Sequence, residues 1–273
     1  MSNPKPQKAY KNHDFLMSPA AREIRILSEY VEPRARFYRN KISNTVVFFG
    51  SARTLPRETA LHNLEELKKL PKPDPKALKK AEKDFENSRY YEDAVELARR
   101  VTLWCKDHCN EQDRFYVCSG GGPGIMEAAN KGASLAGGKS IGLNISLPFE
   151  QFANPYIDPD LNFEFHYFFM RKFWFAYLAK AMVVFPGGFG TLDEFMEILT
   201  LVQTEKITKP MKILVYDRKY WDQVINIQGL VDNYTISESD LELFTWCESV
   251  DEMEQELTNF ISQLGQAERP ASK

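Results

Sequence analysis

Several features are scarce in this sequence, and each scarcity removes a class of protein. Cysteine occurs only four times in 273 residues, at Cys105, Cys109, Cys118 and Cys247, too few and too unevenly placed for a disulfide framework. Residues 1–14 are polar, with no basic segment leading into an apolar run, so a reducing, cytoplasmic setting is expected. The most apolar stretch, residues 173–185, carries Lys180 and is shorter than the roughly 20 residues of a bilayer span. It reads as core, and no membrane partner is expected. Positive charge is not in excess: 35 Lys and Arg face 38 Asp and Glu, for a net charge of -3. The basic footprint of a nucleic-acid binder is therefore missing, although a single positive pocket for a small anion is compatible with this balance. Metal-ligand clusters are missing too. Cys105-Lys-Asp-His108-Cys109 has helical spacing, but no second ligand pair accompanies it, and His13, His62, His108 and His166 are scattered. Neither a metal nor a cofactor is expected.

What is present is an α/β rhythm. Residues 1–43 read as an N-terminal helical extension. Ser18-Pro19 opens it as N-cap and first helical residue, and Ile24, Leu27 and Tyr30 recur at helical spacing, as if packed on the main body. Residues 44–265 read as a Rossmann-like domain, and 266–273 as a polar tail. Thr45-Val-Val-Phe-Phe-Gly50 is a buried parallel strand by composition. Residues 56–88 then break the pattern with Leu61, Leu64, Leu67 and Leu70, prolines 71, 73 and 75, and a lysine-rich run. This reads as a charged helical hairpin inserted after the first strand, its charge a solvated face. Beyond Tyr90 the expected order is a helix over 92–106, strands over 114–118 and 140–144, a strand near 163–168, a helix with Arg171, a strand over 181–185, a helix over 191–203 and a strand over 212–216. Strands spaced by helix-length segments imply a parallel sheet covered on both faces.

Two glycine-rich turns each follow a strand and open a helix, where such sheets bind ligands: Gly120-Gly121-Gly122-Pro-Gly124 and Gly187-Gly188-Phe-Gly190. Glycine lets the backbone approach an anion closely, and the free amides of a helix start then point at it. Neither turn matches G-x-G-x-x-G, so a dinucleotide fingerprint is missing. Gly138-Lys139-Ser140 mimics the end of a Walker A loop, but its required earlier glycine is Ala133 and it ends a helix rather than opening one.

Ser119-Gly-Gly-Gly-Pro-Gly-Ile-Met-Glu-Ala-Ala129, Met170-Arg171-Lys172 and Pro186-Gly-Gly-Phe-Gly-Thr-Leu-Asp-Glu194 together resemble the signature of the LOG family. The resemblance spans about residues 45–216, interrupted by the 56–88 insertion. Gly50-Ser51-Ala52-Arg53 resembles the longer bacterial members. The family carries an old "lysine decarboxylase" label. Its characterised members are Rossmann-like homodimers that cleave cytokinin riboside 5′-monophosphates, and often AMP, into free base and ribose 5-phosphate. The resemblance implies Arg171 and Glu194 as catalytic residues. It implies Lys172, Gly187, Gly188, Gly190 and Thr191 as substrate contacts beside Gly120, Gly121 and Gly122. The alignment adds Glu150 across a gap and Thr200 outside the core motif.

Bland roles compete for several of these residues. Thr191-Leu-Asp-Glu194 also fits a capping box, with Thr191 as N-cap and Glu194 reaching back. A helix start would keep Glu194 ionised, which suits a base or cation stabiliser rather than a proton donor. Arg171 offers a planar fork for phosphate or sugar oxygens, or else a structural ion pair or interface contact. A carrier that holds a phosphorylated ligand without catalysis, similar to molybdenum-cofactor carrier proteins, is the alternative; it would need the loops but not the carboxylate. A literal decarboxylase would need a lysine placed for a Schiff base, and no motif singles one out.

Overall fold

The computed structural model describes residues 6–147 and 152–267. Seven parallel strands form one sheet in the order β4-β3-β2-β1-β5-β6-β7. They are β1 (Asn44–Phe49), β2 (Phe115–Ser119), β3 (Ser140–Ile145), β4 (Asn162–Phe165), β5 (Ala179–Val184), β6 (Lys212–Tyr216) and β7 (Thr245–Cys247). Among the described residues ten α-helices accompany it: α1 (His13–Met17), α2 (Arg22–Arg39), α3 (Arg57–Lys69), α4 (Pro75–His108), α5 (Ile125–Leu135), α6 (Phe168–Leu178), α7 (Phe189–Gln203), α8 (Arg218–Val224), α9 (Ile227–Asp232) and α10 (Val250–Ala267). This is an α/β, Rossmann-like fold.

The strand alternation sorts side chains into two layers. Val47, Phe49, Met182 and Val184 enter one layer with Phe37 of α2, Trp174 and Phe175 of α6 and Phe195 of α7. Val46, Phe48, Ala181 and Val183 enter the other with Tyr90, Tyr91 and Leu97 of α4, Ile125 of α5 and Leu257 of α10. Both faces are therefore buried, which is why the strands read as unbroken apolar runs.

Two sequence expectations change at this level. The expected hairpin and the helix over 92–106 are not separate: α4 is one 34-residue helix, roughly 50 Å long at 1.5 Å per residue. The proline cluster ends just where it begins. Asp74 caps it by accepting from the Lys76 and Ala77 amides, and Pro75 takes the first helical position, where its missing N–H costs nothing. The helix then continues without a break into the first crossover of the sheet. In α2 the apolar face also shifts. Ile24 and Leu27 are exposed, whereas Phe37 is buried and Ile26 and Tyr30 pack on the core. Glu29 anchors this helix: its carboxylate accepts from the His166 and Tyr167 amides, and its carbonyl accepts from Trp174 Nε1 at 2.9 Å.

The four cysteines are free thiols, and among the described residues no group of metal-ligating side chains is present. No described helix is long and apolar enough to cross a membrane.

Candidate active site

Strand order reverses direction between β1 and β5, and α/β sheets leave a crevice at the carboxyl ends of strands beside such a switch point. A cavity of about 790 Å³ lies there. Phe49, Gly50 and Pro186, which end or closely follow the two strands, line it. Ser51 N–H donates to the Pro186 carbonyl at 3.0 Å and Phe185 N–H to the Phe49 carbonyl at 2.8 Å, fastening the two loops together. The α6–α7 layer supplies Phe168, Arg171, Phe175, Thr191 and Glu194 to one wall. From the opposite layer, α4 supplies Asp84, Asn87 and Tyr90.

The loop after β5 is open where a ligand would need it. Helix α7 begins at Phe189 with Gly188 as N-cap and no side-chain cap. Its first intrahelical bond runs from Leu192 N–H to the Gly188 carbonyl, 3.0 Å. The amides of Phe189, Gly190 and Thr191 come before that bond and are free of the helix ladder. A methyl group added at Gly188 or Gly190 would meet nothing within 4 Å. The fold itself places no demand for glycine there. Gly187 differs: its Cβ would collide with Thr191 Oγ1 at 2.1 Å, and its carbonyl accepts from Tyr220 Oη at 2.8 Å.

This helix start overturns the capping-box reading. Thr191 is the third residue of α7, not its N-cap, and Glu194 lies beyond the first turn. Glu194 has no backbone amide to cap. It is 4% exposed, and burial pushes its carboxyl up to about 7, with the nearby Lys172 and Arg171 charges opposing only part of that rise. The expectation of a fully ionised carboxylate held by the helix start is thereby corrected, because helix-dipole effects fade within the first turn while desolvation acts on the whole group. Near neutral pH both protonation states are populated.

Arg171 reaches Glu194 with Nη2 at 3.5 Å from Oε1, a long contact. Burial disfavours the guanidinium charge, Glu194 partly restores it, and the net shift is downward. Its Nε is buried without a hydrogen-bond partner, an unusual vacancy for a charged donor. Lys172 sits one residue on and is engaged differently. Its Nζ lies 2.8 Å from Asp193, 2.6 Å from Glu197 and 3.8 Å from Glu194. Burial works against its charge, but the bonds to Asp193 and Glu197 outweigh it and hold the ammonium protonated.

The expected site residues therefore separate. Gly120, Arg171, Gly187, Gly188, Gly190, Thr191 and Glu194 line one cavity. Lys172 does not line it and instead ties α6 to α7. Gly121 and Gly122 do not line it either. The Gly121 N–H donates to Ser119 Oγ, and the carbonyls of Gly121 and Gly122 accept from the buried Asn154 amide. Thr200 is exposed farther along α7, its hydroxyl donating to the Met196 carbonyl at 2.7 Å. Glu150 lies outside the described residues. Sequence reasoning missed Asn154, which also donates to Asn130 Oδ1 at 2.9 Å, and missed the whole α4 wall.

Comparisons with known proteins meet this site. A family model described as "Possible lysine decarboxylase" matches residues 126–257. A "Probable cytokinin riboside 5′-monophosphate phosphoribohydrolase LOGL5" of Oryza sativa subsp. japonica is 30% identical over 111 residues, which cover 40% of this chain and 44% of that protein. Over these residues the chain is similar to the LOG family. The cytokinin riboside 5′-monophosphate phosphoribohydrolase LOG7 of Arabidopsis thaliana is 37% identical over 67 residues, 24% of this chain and 31% of that one. Less than half of each plant LOG protein's length is matched. Among solved structures, a Moco carrier protein from Chlamydomonas reinhardtii covers 81% of this chain and 99% of its own at 15% identity, with a TM-score of 0.46. The residues matched by the family model begin after both α3 and α4.

Proposed function

We propose that this protein hydrolyses the N-glycosidic bond of a nucleoside 5′-monophosphate, AMP or an N6-modified AMP, to free base and ribose 5-phosphate. The observation that carries this reading is Glu194: a carboxyl buried at the cavity wall, held at about 7, capping nothing, and touched by Arg171 only at 3.5 Å. A protein that merely carried a phosphorylated ligand would have no use for the cost of burying that acid.

The division of labour follows from chemistry. The free amides opening α7 suit the 5′-phosphate. The vacant Arg171 Nε and its fork suit a phosphate or sugar oxygen. With the phosphate held, the sugar's anomeric carbon lies toward Glu194. As the bond from C1′ to the base nitrogen breaks, its electron pair leaves with the base and positive charge grows on C1′ and the ring oxygen, by analogy with glycoside hydrolysis. Ionised Glu194 stabilises that charge and takes a proton from the attacking water. The oxygen of water bonds to C1′, and the proton ends on the departing nitrogen. A group near pH 7 can accept and then return that proton.

The same reading carries a homodimer. Leu27, Phe169 and Tyr177 leave an apolar face exposed where α2 meets α6, and sedimentation at micromolar concentration checks whether a second copy covers it.

The decisive experiment incubates the protein with ribo- and deoxyribonucleoside monophosphates and detects free base and ribose 5-phosphate. Release of adenine from AMP is expected. Tight AMP binding without release would overturn hydrolysis in favour of a carrier.

A further inference from the structure

On the phosphoribohydrolase reading, phosphate and sugar would lie against α6 and α7, which leaves the cavity-lining residues of α4 to meet the base. Three residues of α4, Asp84, Asn87 and Tyr90, line the cavity and recur every third position, so they share one helix face. Their polar groups are not equally free. Tyr90 Oη donates to Asp217 at 2.5 Å, and the neighbouring Arg89 also bonds Asp217. Asp84 pairs with Lys80 Nζ at 2.5 Å while its side chain stays 24% exposed. Asn87 is partly buried, and no hydrogen bond to its side-chain amide is found among the described residues. A partly buried amide with both its donor and its acceptor open, beside a carboxylate and lining the same cavity as Arg171 and Glu194, is equipped to read a base edge.

Resting on the phosphoribohydrolase reading, we infer that Asn87, with Asp84 beside it, determines base specificity and selects 6-amino over 6-oxo purines. An asparagine amide matches the adenine edge as a pair: its N–H₂ donates to N7 and its oxygen accepts from the 6-amino group. A carboxylate only accepts, so Asp84 welcomes an amino group and opposes a 6-oxo oxygen in the same place. The helix that presents both groups starts in the inserted segment after β1 and precedes the residues matched by the family model.

The test measures kcat and KM for AMP and IMP, which differ at the 6 position, with the parent protein, Asn87→Ala and Asn87→Asp, together with inhibition by ribose 5-phosphate. The expected result is a parent preference for AMP that falls about tenfold or more in both variants, chiefly through KM. Ribose 5-phosphate inhibition and melting temperature should not change. An AMP preference untouched by either substitution overturns the inference. Weaker ribose 5-phosphate inhibition in the variants also overturns it, because Asn87 would then serve the phosphate or sugar. If the parent releases base from neither nucleotide, the hydrolase reading has failed. Calorimetric binding of AMP and IMP to the same three proteins then decides the base reading: loss of AMP selectivity in the variants supports it, and unchanged selectivity refutes it.

Discussion

The two glycine turns look alike in sequence and differ in what surrounds them. The turn after β2 is packed from within. Gly124 has φ +70°, and a Cβ there would come 2.3 Å from the Ser51 carbonyl oxygen; Gly121 has φ +76° and abuts the Asn144 side chain. Here glycine is required so that the β1 and β2 loops can touch. At the turn after β5, Gly188 and Gly190 face open space. The carboxylates that follow differ in the same way. Glu127, in the first turn of α5, accepts from Tyr91 Oη at 2.7 Å and does not line the cavity. Glu194 lines it, with no partner closer than 3.5 Å. Glycine content alone therefore does not distinguish the two turns; what is packed against each glycine does.

The largest effect expected from this contrast is on turnover. Glu194→Gln should lower kcat for base release from AMP about a thousandfold, the usual scale for a lost acid–base group, whereas Glu127→Gln should change it by less than a few-fold. Comparable losses in both would mean that the two turns are functionally alike. The next effect is on stability. Gly124→Ala forces a side chain into a backbone conformation that favours glycine and against a carbonyl oxygen, and should cost at least about 3 kcal/mol, read as a lower urea midpoint. A midpoint within error of the parent would refute the packing account of the first turn.

Glu194 also leaves a pH signature in stability. Its folded-state carboxyl is raised from the ordinary 4.5 to about 7, so the folded chain holds this proton more firmly than the unfolded chain. The resulting stabilisation is complete below pH 4.5 and is lost as pH rises through 7. Glu194→Gln removes that loss. The variant should match the parent at about pH 4 and exceed it by up to about 3 kcal/mol at about pH 8. Urea titrations at both values test this; an equal difference at the two pH values would show that Glu194 is not desolvated.

Much of the fold was legible because buried parallel strands are continuous apolar runs: residues 212–216 were read as the strand that forms, and β1 and β5 nearly so. The three-residue β7 was missed, since Thr245-Trp-Cys247 carries too little pattern to stand out. Most of the residues lining the cavity on the α6–α7 side were visible as motifs, but their use was not. The helix boundary two residues upstream of Thr191 decides whether Glu194 is a cap or a free acid, and boundaries are where local sequence is weakest. Twenty-three positions separate Arg171 from Glu194, and only the packing of α6 on α7 brings them together. Asn87 was hidden for another reason. Periodicity shows which face of α4 is polar, but the distinction between a solvated face and a cavity wall depends on what stands opposite.

The smallest effect is the sharpest probe of the open turn. Gly190 is the second residue of α7, and alanine there meets no neighbour. On helix propensity alone, Gly190→Ala should leave stability unchanged or raise it by up to about 1 kcal/mol. A bound phosphate approaching the helix-opening amides would meet the new methyl group, so AMP affinity measured by calorimetry should fall about tenfold, near 1.4 kcal/mol. Stability and binding would then move in opposite directions at one position, which a purely structural glycine does not allow. If Gly190→Ala instead lowered the urea midpoint and left AMP binding intact, the turn after β5 would be packed like the turn after β2, and the contrast between the two would be lost.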